Sequence, residues 1–446
     1  MKHILKVIFI SILTSLYIFP FNTVWLPAVN TKMALAAVGL ILFIYKGAMA
    51  RNAQVSLHMF SVSIYALLVS MAGLITVTIN NTYDYSYASY FISMWVWLGG
   101  AYVVVKAIEF AYGKVSVRML GYFLIVVSVA QCILAQIIDT NSTVANLVDS
   151  FMVSTGFMGK AEGRLYGIGC ALDVAGLKFS SVLIMIAFFL ANPTSKHRKR
   201  LERFIYVCAF FIIAVLGSMI ARTTNVGIIL SIVLWIALWA YRLYHQTNYE
   251  DIVKAIQTIV IILIGVLPFI YICYKSNPNF QENIRFAYEG FFSLVEKGEW
   301  DVRSNSMLES MVIWPDNLQT WLIGDGYFNS PNNDIGYIGK SYDYYMGTDV
   351  GYCRFIFYFG LLGLGLFSFF FIKIAAICSS NNPNYAVVFW MILLLNFIVW
   401  VKVSSDLFPV FALFLFINER NQKITSHSFS GKLEFNNKIH KKCLSS

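Results

Sequence analysis

The stretch 348-TDVGYCRFIFYFGLLGLGLF-367 begins with a polar pair and continues as an apolar segment about as long as a membrane-spanning helix requires. Asp349 stands where the longest polar segment of the chain ends and this apolar run begins. A charged residue at the mouth of a membrane span is costly and usually has a partner or a function. The glycines Gly360, Gly363 and Gly365 predict close packing against a neighbouring helix. The stretch therefore predicts a membrane fold with a polar site at its surface.

The composition of the whole chain also indicates a membrane protein. Apolar residue types make up 58% of the 446 residues, charged residues make up only 13%, and the mean hydropathy is +0.67. A soluble protein of this length has too little interior for so much apolar surface, so lipid must be the second solvent. The predicted fold class is an all-α, polytopic integral membrane protein. The seven cysteines include no Cys-x-x-Cys pair, and we predict neither a disulfide framework nor a metal site.

Twelve apolar runs are predicted to be transmembrane helices. They fall near residues 4–19, 31–45, 55–78, 88–108, 118–138, 171–191, 204–221, 224–241, 252–274, 351–372, 385–402 and 405–417. The connector 192–203 is strongly basic and includes Arg198 and Lys199, which places it on the cytoplasmic side. Both termini are then cytoplasmic, and residues 139–170 and 275–350 lie on the outer face.

The predicted organisation has four parts. Residues 1–274 hold nine spans with a short outer loop at 139–170, residues 275–350 form a large outer loop, residues 351–417 hold three spans, and residues 418–446 form a basic cytoplasmic tail. The large loop contains eleven of the 23 acidic residues, five of the 33 basic residues and fourteen aromatic residues. A loop of this length is usually functional or disordered, and the aromatic content argues against disorder.

Several arginines are predicted to face outward. Arg164 precedes the sixth span, Arg222 lies in the tight turn between spans seven and eight, and Arg354 lies in the first turn of span ten. Arg285 and Arg303 belong to the large loop. Each of these side chains could instead meet lipid head groups or pair with loop acids. That explanation suits Arg222 least, because a short turn between apolar spans has no structural need for a guanidinium.

Three more charged residues lie in or beside the spans. Asp173 and Lys178 fall within the sixth span, and Lys178 is close enough to the outer end for its ammonium to snorkel to the surface, with a ligand role as the alternative. Asp349 could simply cap the helix that follows it. A helix N-terminus and nearby arginines are also expected to lower its pKa.

The order of several motifs resembles the O-antigen polymerase and ligase superfamily. Residues 349–363 resemble the H-[NSQ]-x9-G-x-x-[GTY] motif of O-antigen ligases, with aspartate in place of histidine, which is similar to many Wzy-type O-antigen polymerases. Residues 301–328 resemble the family's pattern of an arginine, a short helix and then G-x-G. Residues 221–230 resemble its S-R-[GT] turn with alanine for serine, and residues 163–169 resemble its R-x-x-G element.

The resemblance implies a function at the periplasmic face of the bacterial inner membrane. The family joins glycans carried on undecaprenyl diphosphate, and the missing ligase histidine favours a polymerase that transfers the growing glycan onto a lipid-linked repeat unit. The implied partners are that lipid-linked oligosaccharide, membrane lipid and a chain-length regulator protein, without nucleic acid. The alternatives are an O-antigen ligase, a capsule or exopolysaccharide polymerase, and, from another class, a lipid-linked oligosaccharide flippase or transporter.

The residue inventory suits such a transfer without a metal or other cofactor. Negative charge develops on the departing diphosphate, and Arg222 and Arg303 could meet it with guanidinium forks. Asp349 is the candidate base for the proton of the acceptor hydroxyl. These three residues are the predicted catalytic group.

Four further residues are predicted to bind substrate. Arg164 or Arg285 could support the catalytic arginines from behind, and Lys178 could contact the same ligand. Tyr327 is one of the loop aromatics that offer flat faces for sugar rings.

Overall fold

The structure is a computed structural model that describes residues 2–49, 57–153, 164–193, 199–245, 249–334, 337, 339–340 and 343–421. Its strands β1 (Asn22–Thr23) and β2 (Leu26–Asn30) form one antiparallel hairpin. Its α-helices are α1 (Lys2–Ile18), α2 (Thr31–Met49), α3 (Leu57–Ile79), α4 (Tyr90–Tyr112), α5 (Val117–Thr140), α6 (Ser142–Phe151), α7 (Leu172–Ala191), α8 (Lys199–Ile220), α9 (Thr224–Tyr244), α10 (Tyr249–Ser276), α11 (Pro278–Ala287), α12 (Glu289–Lys297), α13 (Arg303–Ser310), α14 (Leu318–Ile323), α15 (Gly351–Asn381), α16 (Ala386–Val399) and α17 (Phe408–Leu415). The predicted basic tail beyond residue 421 and the centre of the basic connector, residues 194–198, lie outside the described residues.

The chain is an all-α protein with the helices of a polytopic membrane protein. Within the described residues, α3, α4, α5, α7, α8, α9, α10 and α15 are long and apolar enough to cross a membrane. Two shorter apolar helices coincide with α1 and α16. Each of the twelve predicted runs contains a helix, but α17 has only eight residues and is about 12 Å long. The predicted fold class, an all-α polytopic membrane protein, is therefore confirmed.

The bundle is built around α7. Buried residues make up 94% of the apolar window of α7, against 6% for α10, which lies at the periphery. The approach of α9 to α7 is close because Gly227 has no side chain: a Cβ there would lie 2.3 Å from the Cα of Ser180. Since α10 is strongly apolar yet hardly buried by protein, most of its surface suits contact with lipid.

Polar contacts divide between two ends of the bundle. At one end, Arg118 of α5 pairs with Glu202 of α8, and Arg242 of α9 donates to the side chain of Asn192 after α7. At the other end, contacts join the segments that follow α3, precede α7, link α8 to α9 and follow α16. We call this second end the site end, and its segments are residues 80–90, 164–173, 220–224 and 400–406.

The long helix α15 is broken at Gly360, which has a φ of +65°. The break leaves carbonyl groups of the first half without helical partners, and buried carbonyls need donors. The backbone N–H of Asp325 donates to the carbonyl of Phe357 at 2.6 Å, and that of Gly326 donates to Tyr358 at 3.1 Å. The G-D-G turn of the large loop therefore completes the broken helix.

The end of α3 and the residues that follow it bind this turn from the opposite side. Thr76 donates to the carbonyl of Ile323 at 2.6 Å, Asn80 donates to Gly324 at 3.0 Å, and the Thr82 hydroxyl reaches the carbonyl of Gly326 at 3.0 Å. Residues 323–326 are thus wedged between α3 and α15. This part of the large loop is an integral piece of the helical bundle.

The expected role of the glycines in α15 needs correction. An added Cβ at Gly365 would meet no atom within 4 Å, and at Gly363 it would meet the side chain of Phe359 in the same helix. At Gly360 it would lie 2.2 Å from the backbone of Leu322. Of these three glycines, only Gly360 requires a close approach, and its backbone also needs a positive φ.

We expect Gly360→Ala to lower the melting temperature and the membrane abundance of the protein. The backbone of Gly360, with φ +65° and ψ −172°, lies in a region that is essentially restricted to glycine, where another residue costs about 1–3 kcal/mol. The new Cβ would also displace a turn that is bonded to both α3 and α15. Thermal unfolding of the detergent-solubilised protein measures the effect. Gly365→Ala is the matched control in the same helix and should melt like the wild type. Equal melting temperatures for the two variants would contradict this account of the break.

Candidate functional site

Arg222 lies at the site end, in the turn between α8 and α9. Its guanidinium lies 4.2 Å from the ring centre of Phe286, and the guanidinium of Arg164 lies 4.6 Å from the centre of the same ring. Nη1 of Arg222 donates to the hydroxyl of Ser304 at 3.0 Å and pairs with Glu289 at 2.5 Å. One aromatic ring thus brings two guanidinium groups together.

Arg303 joins them at the first residue of α13. Its backbone N–H donates to Glu289 at 3.4 Å. Burial lowers the pKa of Arg222, the charges of Arg164 and Arg303 lower it further, and Glu289 opposes the shift. Within the described residues, Glu289 is the one carboxylate that forms an ion pair with any of these three arginines, and its partner is Arg222. We call Arg164, Arg222 and Arg303 the arginine cluster.

The arginine cluster has the character of an anion site. Its three guanidiniums are balanced by a single direct carboxylate contact. The Nε of Arg222 is buried and forms no hydrogen bond within the part of the chain that the structure describes. A buried donor without an acceptor is unfavourable unless a ligand or water supplies one. A phosphate group would supply oxygens for several such donors.

Asp349 pairs with an arginine and does not cap α15. The residue before α15 is Val350, which provides no side-chain cap. Asp349 accepts a hydrogen bond from Nη1 of Arg354 at 3.2 Å, and Nη2 of Arg354 donates to the carbonyl of Phe328 at 2.8 Å. The Arg354 guanidinium also lies over the rings of Phe328 and Tyr344. The interpretation of Asp349 as a helix cap is therefore wrong.

The surroundings of Asp349 raise its pKa above the usual aspartate value. Burial is the largest cause, and the Asp173 carboxylate adds to it, while Arg354 and Lys402 act in the opposite direction. The sequence predicted a lowered pKa because it identified nearby positive charges but not the burial. A raised pKa makes this carboxylate a better proton acceptor than an exposed aspartate. Its side chain remains 34% exposed, so a ligand can reach it.

Asp173 connects the Arg222 turn with the segment after α16. It accepts hydrogen bonds from the hydroxyl of Thr223 and from the ammonium of Lys402, the latter at 2.9 Å. Asp173 lies in the first turn of α7 and follows Leu172, which has an unusual φ of +55°. Residues that are distant in sequence thus meet around one carboxylate.

Two predicted binding residues lie elsewhere. Arg285 forms a bidentate pair with Glu296, with distances of 2.8 and 2.7 Å, and lies over the ring of Phe292. Lys178 is buried and donates to the carbonyl of Ile18, the last residue of α1. Lys178 does not snorkel to the surface, because its ammonium instead satisfies the C-terminal end of a helix. Neither side chain contacts the arginine cluster.

Tyr327 belongs to a separate aromatic group beside the G-D-G turn. Its hydroxyl donates to Asp334 at 3.0 Å, and its ring stacks on Tyr345 with centres 5.1 Å apart. The hydroxyl of Tyr345 donates in turn to Asp325 of the turn itself. These contacts orient the aromatic face of Tyr327, but none of them reaches the arginine cluster.

Sequence reasoning missed several members of the site. Glu289 was one of eleven acids in the large loop, and nothing in its neighbourhood marked it. Thr223 and Ser304 carry no charge and gave no signal. Lys402 could have been found, because it is a basic residue at the predicted outer end of an apolar run, on the face where basic residues are few.

No protein family, curated protein or solved structure matches this chain.

Proposed function

We propose that this protein is a Wzy-type polymerase of lipid-linked glycan repeat units. The observation that carries the proposal is the arginine cluster: Arg164, Arg222 and Arg303 come from three motif segments far apart in the chain and meet at one end of the bundle. A glycan donor activated by a lipid diphosphate requires an anion site at the membrane surface. Fixed guanidinium groups can supply that site without a metal ion.

The proposed reaction moves one glycosidic bond. The bond between the sugar C1 and the diphosphate oxygen breaks, its electron pair stays with the diphosphate, and the arginine cluster stabilises that charge. Glu289, the resident counter-ion of Arg222, would give way to the diphosphate. The acceptor hydroxyl of the second lipid-linked unit forms the new bond to C1 and passes its proton to Asp349. Energy comes from the donor linkage, so the reaction needs no nucleotide.

The proposal includes a membrane arrangement. Twelve segments cross the bacterial inner membrane, both termini are cytoplasmic, and the loops at 139–170 and 275–350 are periplasmic. The twelfth segment, residues 405–417, has only the short helix α17, which is buried by the other helices and so needs no contact with lipid. Arg118 and Arg242 support this orientation, because both lie at the end opposite the site, where the positive-inside rule expects basic residues. The site end is then periplasmic, the side on which lipid-linked glycans are joined.

Topology reporters test this orientation directly. Fusions after Ser195 and after Asn436 should report the cytoplasm, because these positions belong to basic segments. Fusions within residues 139–170 and 280–345 should report the periplasm. The measurement is the activity of a reporter enzyme that functions on one side of the membrane only. A cytoplasmic signal from residues 280–345 would invert the protein and remove the proposed site from its substrate.

The function itself is tested with the purified protein in liposomes. With undecaprenyl-diphosphate-linked repeat units as the only substrate, a polymerase lengthens the glycan without ATP or metal, and the products form a ladder on a gel. A flippase would move the units across the bilayer without lengthening them. A ligase would extend nothing until lipid A-core is added. No ladder from correctly folded protein would refute the proposal.

A further inference from the structure

The Arg222 turn is hydrogen-bonded to the first turns of α7. The hydroxyl of Thr223, the neighbour of Arg222, donates to Asp173, and the hydroxyl of Ser180 donates to the carbonyl of Thr223 at 3.0 Å. The absence of a side chain at Gly176 permits this contact, since a Cβ there would lie 2.8 Å from that of Ala221. The position of Arg222 therefore depends on α7.

The segment after α16 packs against the start of α15 and is hydrogen-bonded to it. The N–H of Tyr352 donates to the carbonyl of Trp400 at 2.9 Å. A Cβ at Gly351 would lie 2.6 Å from the carbonyl oxygens of Trp400 and Val403. Lys402 is in this segment, close enough to Asp349 for its positive charge to lower the pKa of that carboxyl. Its ammonium donates to Asp173 at 2.9 Å.

Asp173 contacts both the Arg222 turn and the segment after α16. The hydroxyl of Thr223 and the ammonium of Lys402 bind the same oxygen, Oδ1. The preceding residue, Leu172, holds a backbone conformation that is unfavourable for a bulky side chain. Such strain persists where the surrounding structure imposes it, often at functional sites.

We infer that Asp173 is a positioning residue that, through Thr223 and Lys402, sets the arginine cluster and Asp349 in one site. The inference rests on the proposed polymerase function, because it has Asp173 position the proposed base, Asp349, and the proposed anion site, the arginine cluster. It goes beyond that function by naming Asp173 and Lys402 as the charged pair that joins the Arg222 turn to the segment packed against the start of α15.

The charges around Asp349 make the inference testable. The groups that face it are Arg354 and Tyr344 from its own segment, Asp173 from α7 and Lys402 from the segment after α16. The Asp173 carboxylate raises the pKa of Asp349, and the Lys402 ammonium lowers it. Removing one charge at a time must therefore shift the ionisation of Asp349 in opposite directions.

The experiment measures the titration of Asp349 in the purified full-length protein. A carbodiimide reacts with protonated carboxyl groups, and mass spectrometry of the peptide that contains Asp349 gives the labelled fraction at each pH. Asp173→Asn should move the midpoint to lower pH, and Lys402→Gln should move it to higher pH, each by roughly half a pH unit for one partly solvated neighbouring charge. Lys402→Arg keeps the charge and should restore the wild-type midpoint.

Asp301→Asn is the matched control, because Asp301 pairs with the exposed Lys297 outside the site. It should leave the midpoint unchanged. If Asp173→Asn fails to fold, the test is whether Lys402→Gln raises the midpoint of Asp349 and Lys402→Arg restores it. Unchanged midpoints, or shifts in the same direction for Asp173→Asn and Lys402→Gln, would overturn the inference. The labelling needs no glycan substrate. If the wild-type protein proved inactive in liposomes, the polymerase proposal would fail, but the titration of Asp349 would still test the roles of Asp173 and Lys402.

Discussion

Arg222→Lys is expected to reduce the glycan to one or a few repeat units. The planar guanidinium of Arg222 lies over Phe286 while it bonds Ser304 and pairs with Glu289, and lysine cannot reproduce this geometry. The positive charge survives the substitution, but the proposed bidentate contact with a diphosphate is lost. Removing one such charge-stabilising contact typically lowers a rate about 10²–10³-fold.

The assay is the length distribution of the glycan in a deletion strain that carries each variant, with membrane abundance measured in parallel. Arg285→Lys is the matched comparison, since Arg285 also pairs with a glutamate but lies outside the arginine cluster. We expect it to leave chain length close to that of the wild type. If Arg222→Lys produced wild-type chains at equal abundance, the cluster would not be the diphosphate site.

Asp349→Asn should abolish polymerisation while the protein accumulates normally. The asparagine oxygen can still accept the hydrogen bond from Arg354, so the buried guanidinium keeps its partner. The substitution removes the proposed proton acceptor, and the loss of a general base typically costs about 10²–10⁴ in rate. The measurement is again glycan length against membrane abundance.

Asp301→Asn serves as the control for this substitution, because it also removes one carboxylate from the loop but breaks only an exposed ion pair. Its chain lengths should match those of the wild type. Wild-type chains from Asp349→Asn would reduce Asp349 to a partner of Arg354 and remove it from the mechanism.

The helices of this protein were largely predictable from the sequence, and the physical reason is the solvent. A helix that faces lipid needs a continuous run of apolar residues, and such runs predicted the ends of α7 to within one residue and those of α9 to within three. The break in α15 was not predictable in the same way. It depends on the match between Gly360 and the turn at residues 323–326, which are separated in sequence and come together only in the fold.

The site was predictable where a charge had no local explanation. Arg222 was found because a guanidinium is out of place in a short turn between apolar helices. Glu289 and Thr223 could not be found, because acids and hydroxyls are ordinary in loops and only the fold brings them to Arg222 and Asp173. The predicted direction of the pKa shift at Asp349 was wrong for a related reason. The sequence predicted a lowered pKa, but burial, which is a property of the folded chain, raises it.

The position of residues 323–326 between α3 and α15 limits which segments of this protein can be exchanged with those of another protein. Exchanging residues 275–350 for the loop of another protein would bring in a foreign turn that must fit both the broken helix and the end of α3. Such a chimera would have to carry Thr76, Asn80 and Thr82 with the loop, although these three residues lie more than 240 positions away from the carbonyls that they bind. Conversely, the unit that can be transplanted is a loop together with the ends of two helices, and libraries that vary glycan specificity should leave residues 323–326 untouched.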